Sequence, residues 1–387
     1  MIYFDSAGSF PVLDEVKEKV IGAFNLHYAN PSSDHAAGAM AANELERVRE
    51  KIAESIGASP SEIIFTSGAT ESNNLALKGL LHCDLAKNKK HIVTSKIEHK
   101  CILSICSYLE ACGYEVTYLS PDSTGRISAD TVKTALRDDT ALVSIMHVNN
   151  ELGTLNPISE IGELCFRNRT LFHTDAAQSF GATLNDQPVG QLADVTCTSF
   201  FPAKPLGAYG DGGAVFTDDA KIAEIIRSCR IHGMGQNKYE NVRIGMTGRL
   251  DSMQAVVLDA KLDIFADELA LRQQVANRYA ALLENLVSVP ILSCGTTSSW
   301  AQYVIKLQRG TDRAALIKKM ETAGVPTAIY YPIPMHKQPP YAKYPISGCN
   351  LPVTMDLCDR VLALPMHPYL KFAQQKYIAT SLKQALA

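Results

Sequence analysis

The sequence lacks the hydrophobic runs of a membrane protein, because nowhere do about eighteen apolar residues follow one another. Its first residues, Met1 to Gly8, contain neither the basic segment nor the long apolar segment of a secretory signal. These absences predict a cytoplasmic protein with no membrane partner.

Charge excess, cysteine pairs and repeats are absent as well. The 37 Lys and Arg residues nearly cancel the 40 Asp and Glu residues, so the net charge of -3 offers nucleic acid no basic surface. The ten cysteines form no CxxC pair and no zinc-ligand spacing, which predicts free thiols and no metal site. Without repeats or long Pro/Ser linkers, we expect any second domain to pack directly on the first.

Strand-like and helix-like segments alternate through the first two thirds of the 387 residues. We expect strands at 62–66, 91–94, 115–119, 141–146, 170–173, 194–197 and 214–217. Helices are expected at 39–56, 71–81, 100–111, 129–136, 158–167 and 221–229. This alternation predicts an α/β fold with a mainly parallel, seven-stranded sheet between helices. Ligands of such sheets bind at the carboxyl ends of the strands.

The last third has a different pattern. Residues 250–286 are helical almost throughout, and a strand at 300–307, a helix at 313–323 and a closing helix from Gln374 follow. We therefore expect a large domain over 14–255 and a long linking helix with a small α+β domain over 256–387. Residues 1–13 are expected to pack toward the small domain.

One lysine lies in an apolar, glycine-rich turn between the last two strands of the large domain. Lys204 occupies the segment 198–213, where poor solvation would lower the pKa of its ammonium group and make it an amine nucleophile. Ser199 could offer a hydroxyl to a phosphate, and the glycines allow a flat ligand to approach the backbone. We interpret the segment as the Schiff-base turn of a pyridoxal-phosphate enzyme. The alternative is a solvated loop lysine.

Polar residues follow several of the other strands. The turn 66–71 opens a helix whose N–H groups suit a phosphate, although taken alone the turn favours a plain helix cap by Thr70. His99 could stack on a planar ring or act as an acid or base, unless it is a surface histidine at a helix start. Asp175 could pair with a protonated pyridine nitrogen, or merely cap the next helix. Gln178 could then bond the phenolic oxygen of the ring.

These motifs resemble fold-type I pyridoxal-phosphate enzymes, but the two halves resemble different families. Residues 1 to about 180 resemble cysteine desulfurases of the class V aminotransferase group, on the segments 30–33, 65–72, 98–100, 144–151 and 173–178. Residues from about 174 to 387 resemble the DegT/DnrJ/EryC1/StrS nucleotide-sugar aminotransferases, on the segments 175–182, 199–213, 243–251, 331–336 and 364–370. The resemblance therefore implies a recombined or engineered chimera.

The resemblance implies one cofactor site, because both families build it in the same way. Lys204 corresponds to the Schiff-base lysine and Asp175 to the partner of the pyridine nitrogen. Gln178 corresponds to the contact of the phenolic oxygen. Ala69, Thr70 and Ser199 match the phosphate ligands. The desulfurase half adds His99, stacked on the ring, and Asn150, near the phenolic oxygen.

The substrate implied differs between the halves. On the aminotransferase side, Arg249 matches an arginine that meets a sugar carboxylate, His336 matches a histidine near the sugar diphosphate, and Thr247 replaces an asparagine that reaches the partner subunit's phosphate. On the desulfurase side, Cys349 is the candidate for the sulfur-accepting thiolate. Fold-type I enzymes are generally dimers that complete their sites across the interface. The resemblance therefore implies a homodimer in which Thr247 and Arg249 are lent to the neighbour.

Three hypotheses follow from this resemblance. The first is an aminotransferase that acts on a nucleotide-linked keto sugar, with a 3-oxo uronic acid as one candidate and glutamate as amino donor. The second is a cysteine desulfurase that passes sulfur from L-cysteine to Cys349 as a persulfide. The third is a chimera that folds and binds pyridoxal phosphate without efficient turnover.

Overall fold

The computed structural model describes residues 12–122, 124–151, 153–190, 192–237, 239–339 and 351–387. It divides into two compact units, of which the larger spans Val12–Asp263 and the smaller includes Ile264–Ala387. The sequence pattern places the end of the large domain at residue 255, whereas the division in the structure falls between Asp263 and Ile264. No helix among the described residues is long and apolar enough to cross a membrane.

The larger unit alternates strands and helices as the sequence pattern predicts. Its strands are β1 (Ile63–Thr66), β2 (His91–Ser95), β3 (Glu115–Leu119), β4 (Thr140–Ser144), β5 (Leu171–Asp175), β6 (Thr183–Leu184), β7 (Gln187–Pro188), β8 (Val195–Ser199) and β9 (Gly213–Phe216). Its helices are α1 (Asp14–Leu26), α2 (Ala36–Ile56), α3 (Ala69–Leu80), α4 (Lys100–Ala111), α5 (Ala129–Ala135), α6 (Ile158–Arg167), α7 (Ala220–Cys229) and α8 (Ser252–Leu262). Helix α1 was not expected from the sequence.

Seven of these strands form one sheet in the order β1-β9-β8-β5-β4-β2-β3. Strand β9 runs antiparallel to both of its neighbours, and the other pairs are parallel. The mainly parallel, seven-stranded sheet is therefore confirmed. Because β9 runs antiparallel to both, β1 and β8 point in the same direction. Their carboxyl ends therefore lie on the same side of the sheet.

Alternating strand residues point into two separate cores, as the two-residue period of a strand requires. Ile92 and Leu142 pack with residues of α3, α4 and α7 on one face of the sheet. The next residues along, Val93 and Val143, pack with residues of α5 and α6 on the other face. Burial on both faces explains why these strands are continuous apolar runs.

Helix α8 is fastened to α1 and α2 by a buried acidic residue. The carboxylate of Asp259, on α8, lies 3.0 Å from the ammonium group of Lys19 and 2.9 Å from the guanidinium of Arg47. Lys51 adds a third contact, at 2.7 Å. The residues expected to form one helix over 250–286 form two helices. Helix α8 belongs to the larger unit, and the helical conformation is interrupted at Asp263 and Ile264 before the next helix begins.

The smaller unit has its own core around a two-stranded sheet. Its helices are α9 (Phe265–Leu283), α10 (Arg313–Thr322), α11 (Pro352–Arg360) and α12 (Phe372–Leu386), and its strands are β10 (Tyr303–Lys306) and β11 (Val361–Leu364). Strands β10 and β11 pair antiparallel. Tyr279, Ile305 and Leu382 are fully buried among other apolar side chains of this unit. Helix α11 and strand β11 were not expected from the sequence.

Three arginines line the outer side of β1, which is an edge strand of the large sheet. The guanidinium of Arg230 donates to the carbonyl of Phe65 at 2.6 Å. Arg49 donates to the carbonyl of Ile63, and Arg227 donates to that of Ser61. These carbonyls belong to alternate residues, so all of them face away from β9.

Candidate active site at the carboxyl ends of the strands

The turn after β1 opens a helix whose first N–H groups have no side-chain cap. Helix α3 begins at Ala69, directly after Gly68, and no side chain caps it. The turn is held by Thr66 and Ser72, whose hydroxyl oxygens lie 2.7 Å apart. Ala69 and Thr70 therefore present backbone N–H groups and the positive end of the helix dipole, an arrangement that suits a phosphate.

Gly213 brings this turn against the end of β8. In the sheet it is paired with both Thr66 and Ser199, so the turn and Ser199 lie on either side of it. A Cβ atom at Gly213 would lie 2.6 Å from the carbonyl carbon of Gly68. The absence of a side chain thus leaves room for the close approach on which this cradle depends.

Lys204 lies in the turn between β8 and β9. Desolvation lowers the pKa of its ammonium group to about 8, and the negative charge of Asp175 opposes this shift. The turn is tight: a Cβ at Gly207 would lie 2.5 Å from the carbonyl oxygen of Pro202. A lysine with so low a pKa has a substantial fraction of free amine near neutral pH, which a nucleophile needs.

Asp175 ends β5 and is buried. Its Oδ1 accepts the backbone N–H of Ala177 at 2.9 Å, and its Oδ2 accepts the side-chain amide of Asn73 at 2.8 Å. The carboxylate is thus oriented by two donors and keeps lone pairs for a third.

His99 caps helix α4 through its own ring. Its Nδ1 accepts the backbone N–H of Cys101 at 3.3 Å and lies 3.0 Å from the Sγ atom of the same cysteine. The pKa of the imidazole is lowered, mainly by desolvation. The negative charge of Asp175 opposes this shift, and the positive charge of Lys204 increases it. The charges of Asp175 and Lys204 thus both act on His99, which places the three side chains in one region of the larger unit.

Gln178 and Asn150 lie on turns that follow β5 and β4. Both are partly exposed. Near them, His147 Nδ1 lies 2.9 Å from the hydroxyl of Ser179, and the backbone N–H of His147 donates to the carbonyl of Asp175 at 3.0 Å. These two hydrogen bonds join the turn that carries Asn150 to the turn that carries Gln178.

Thr247 and Arg249 flank a glycine that packs on the first turn of α3. A Cβ at Gly248 would lie 3.0 Å from the carboxyl group of Glu71, in the first turn of that helix. Thr247 and Arg249 are both exposed, and the Thr247 hydroxyl lies 3.0 Å from His232 Nε2. The exposed guanidinium of Arg249 is available to an anionic ligand.

The histidine expected to bind substrate and the cysteine expected to accept sulfur belong to a different part of the chain. His336 lies in a short 3-10 turn, Met335–Lys337, of the smaller unit, and its Nε2 is buried without a hydrogen-bond partner. Burial and the charge of Lys337 lower the pKa of its imidazole. Cys349 lies outside the described residues.

Sequence reasoning missed two buried polar residues of this site. Asn73 is fully buried on α3, and Glu98 is buried next to His99. Oε1 of Glu98 accepts the hydroxyl of Ser95 at 2.7 Å and the backbone N–H of Met146 at 3.0 Å. It thus ties the loop that carries His99 to the end of β4. A polar residue on the apolar face of α3 was the available signal for Asn73.

The site fits pyridoxal phosphate by the chemistry of its groups. An uncapped helix start and a glycine-lined cradle suit the phosphate, a buried carboxylate suits the pyridine nitrogen, and a desolvated amine suits the aldehyde. No group of His, Cys, Asp and Glu among the described residues could hold a metal ion.

The family model of DegT/DnrJ/EryC1/StrS aminotransferases matches residues 22–383. The chain is 44% identical over 209 residues to the UDP-2-acetamido-2-deoxy-3-oxo-D-glucuronate aminotransferase of Pseudomonas aeruginosa, covering 54% of this chain and 56% of that protein. It is 40% identical over 274 residues to the cysteine desulfurase IscS of Shewanella sediminis, covering 70% of this chain and 66% of that protein. The chain thus spans about two thirds or less of these relatives' lengths.

Solved structures with the same fold match almost the whole chain. A DegT/DnrJ/EryC1/StrS aminotransferase from Brucella abortus has a TM-score of 0.78 and 29% identity, covering 97% of this chain and 96% of its own. A NifS-like protein has a TM-score of 0.74 at 24% identity, covering 99% of this chain and 98% of its own, which shows the fold alone. The expected fold-type I architecture is therefore confirmed.

Proposed function

We propose that this chain, which belongs to the DegT/DnrJ/EryC1/StrS aminotransferase family, transfers an amino group from glutamate to a nucleotide-linked keto sugar. Its cofactor is pyridoxal phosphate and it is a transferase of that class. The observation that carries the choice of substrate is the 44% identity to an aminotransferase of a UDP-linked 3-oxo glucuronate. A 3-oxo uronic acid is accordingly the candidate sugar.

Lys204 and Asp175 carry the central steps of this proposal. When bound, the cofactor supplies an electron sink for the bonds to the substrate's amine-bearing carbon. Lys204 would hold the cofactor aldehyde through Nζ, and its free amine would accept and return the proton of the substrate's amine-bearing carbon. The Asp175 carboxylate would hold the proton of the pyridine nitrogen by a charge-assisted hydrogen bond.

The remaining residues of the cofactor site orient and bind in this proposal. The N–H groups of Ala69 and Thr70 and the hydroxyl of Ser199 would bind the phosphate. His99 would stack on the ring, and Asn150 and Gln178 would donate to its phenolic oxygen. Ser199 and the α3 turn lie on either side of Gly213, and this closeness supports the phosphate assignment.

The substrate residues are Arg249 and His336 in this proposal. A planar guanidinium suits a sugar carboxylate, because it donates two parallel hydrogen bonds. The exposed position of Arg249 supports this role, because its guanidinium can reach a ligand of the neighbouring subunit. His336 would donate to the sugar or its diphosphate through Nε2, which lacks a hydrogen-bond partner.

A homodimer is part of the same proposal, with Thr247 and Arg249 lent to the site of the neighbouring subunit. The exposed apolar side chains near Thr247 support it, since Ile244 is 97% exposed and Val242 is 52% exposed. Apolar residues so close together on a surface are typical of an interface.

Cysteine desulfuration is the second candidate, favoured by the long IscS match. A match over 70% of the chain must include residue 180 wherever it begins, so the desulfurase likeness extends beyond the first half. The family match in turn begins at residue 22. A junction near residue 180, and a chimera that binds the cofactor without turnover, stay predictions.

The test is a paired half-reaction on the protein loaded with pyridoxal phosphate. L-glutamate is added to one sample and L-cysteine to the other, while the cofactor absorbance and released sulfide are measured. Conversion to the pyridoxamine form by glutamate, without sulfide from cysteine, is the expected result. Sulfide that disappears in Cys349→Ser would overturn the proposal in favour of desulfuration. If neither sample reacts, the chimera without turnover is the correct description.

A further inference from the structure

A chain of buried hydrogen bonds runs behind Asp175 to residues that no step of the proposed reaction uses. The hydroxyl of Ser144 lies 2.9 Å from Nδ1 of His173, and Nε2 of His173 lies 3.1 Å from Oδ1 of Asn73. The amide nitrogen of Asn73 lies 2.8 Å from Oδ2 of Asp175. It is also 3.3 Å from Sγ of Cys101.

The directions of these bonds follow from the carboxylate. Because an ionised carboxylate only accepts, Asn73 must turn its NH₂ group toward Asp175 and its oxygen toward His173. Nε2 of His173 must then carry the proton, and Nδ1 accepts the hydroxyl of Ser144. Desolvation lowers the pKa of His173 to about 4, so its ring is neutral. The tautomer with the proton on Nε2 satisfies both of its hydrogen bonds.

The second hydrogen of the Asn73 amide continues the chain toward His99. It points to the sulfur of Cys101, whose thiol can donate to Nδ1 of His99 at 3.0 Å. Since Nδ1 of His99 also accepts the backbone N–H of Cys101, the neutral ring carries its proton on Nε2. Asn73 is thus the branch point between Asp175 and His99.

We propose that Asn73 and His173 are positioning residues that fix the orientation of the Asp175 carboxylate, and that Cys101 extends this control to the ring of His99. The inference rests on the proposed contact between Asp175 and the pyridine nitrogen and is independent of the sugar or donor. All the hydrogen-bonding groups of the Asn73 side chain are used, so the amide has one orientation. An oriented carboxylate binds the ring nitrogen without a reorganisation cost.

A second buried histidine of the same sheet provides a matched control. His91, on β2, lies with Nδ1 2.9 Å from the hydroxyl of Thr140 and with Nε2 2.8 Å from that of Thr117. Its ring makes two hydrogen bonds, as that of His173 does, but none leads to Asp175. Loss of either ring should reduce stability, whereas only loss of His173 should alter the cofactor.

The experiment compares Asn73→Ala, His173→Leu, His173→Gln and His91→Leu after reconstitution with pyridoxal phosphate. Two quantities are measured, the dissociation constant of the cofactor and the dependence of its visible absorbance on pH. Asn73→Ala removes a hydrogen bond to the charged Asp175 carboxylate, and His173→Leu removes the bond that holds the Asn73 amide in place. Each should weaken cofactor binding about tenfold and shift the absorbance titration. His173→Gln keeps an N–H donor and should restore both properties.

The control, His91→Leu, and a reference variant, Asp175→Asn, separate the possible failures. His91→Leu should lower the melting temperature without changing the cofactor affinity or spectrum. If Asp175→Asn alters both properties but Asn73→Ala and His173→Leu do not, the positioning role is wrong. If Asp175→Asn alters neither, the proposed role of Asp175 is wrong. Should Asn73→Ala fail to fold, the pair His173→Leu and His173→Gln decides, and equal behaviour of that pair overturns the inference.

Discussion

Replacement of Gly213 by alanine tests the close approach on which the phosphate cradle depends. The new methyl group would lie 2.6 Å from the carbonyl carbon and 2.8 Å from the Cα of Gly68. Non-bonded carbon atoms require about 3.5 Å, so the first turn of α3 and the start of β9 would have to separate by roughly 1 Å. No flexible side chain could absorb this shift, because the contacted atoms are backbone.

We expect Gly213→Ala to destabilise the protein by about 1–3 kcal/mol, the usual cost of overpacking a rigid site. The displaced N–H groups of Ala69 and Thr70 should also weaken pyridoxal-phosphate binding by about tenfold or more. Urea denaturation of the apoprotein measures the first effect, and titration of the apoprotein with the cofactor measures the second.

The control is Gly22→Ala in helix α1. A Cβ at Gly22 would meet nothing within 4 Å, so alanine should stabilise the helix by about 0.5–1 kcal/mol and leave cofactor affinity unchanged. The reasoning would be refuted if Gly213→Ala retained both the stability and the cofactor affinity of the parent protein.

Four further predictions follow from single residues. The rate at which the apoprotein captures pyridoxal phosphate, followed by absorbance, should rise with pH and level off above about 8, where Lys204 loses its proton. Burial raises the pKa of Glu98 from 4.5 to about 8, so the folded state keeps a proton that the unfolded state releases, and stability falls as pH rises across that window. Glu98→Gln should remove this loss of a few kcal/mol in urea denaturation compared at about pH 5 and about pH 9. Ile244→Arg should give a monomer in light scattering, and an unchanged mass would contradict the proposed interface. Asp259→Ala should lower the urea-denaturation stability by about 2 kcal/mol, less than a fully buried pair would, because its three cations are partly exposed.

The fold of the larger unit could be predicted because its strands are buried on both faces. Helices α4 and α6 begin and end at the residues expected from the pattern. The sequence failed where packing between distant segments decides the structure. The residues expected to form one helix over 250–286 form α8 and α9 instead, and Asp259 on α8 contacts Lys19, Arg47 and Lys51, which lie more than two hundred residues earlier in the chain.

The candidate site was predictable in its residues but not in what orients them. Lys204, Asp175 and His99 lie at or after the carboxyl ends of β8, β5 and β2, so the topology of a parallel sheet brings them together. Asn73 and His173 stand inside regular elements, where a polar residue on a buried face carries no sign of its partner. Their hydrogen bonds join residues about one hundred positions apart and appear only in the folded chain.

The arginines along β1 limit how two copies of this chain can associate. A strand that joined the sheet there would need the carbonyls of Ser61, Ile63 and Phe65, and each already accepts a guanidinium. Addition of a strand at that edge would break three hydrogen bonds and leave charged groups to be desolvated. Edge-to-edge joining of two copies at β1 is therefore disfavoured, because the three guanidinium groups would first have to be displaced.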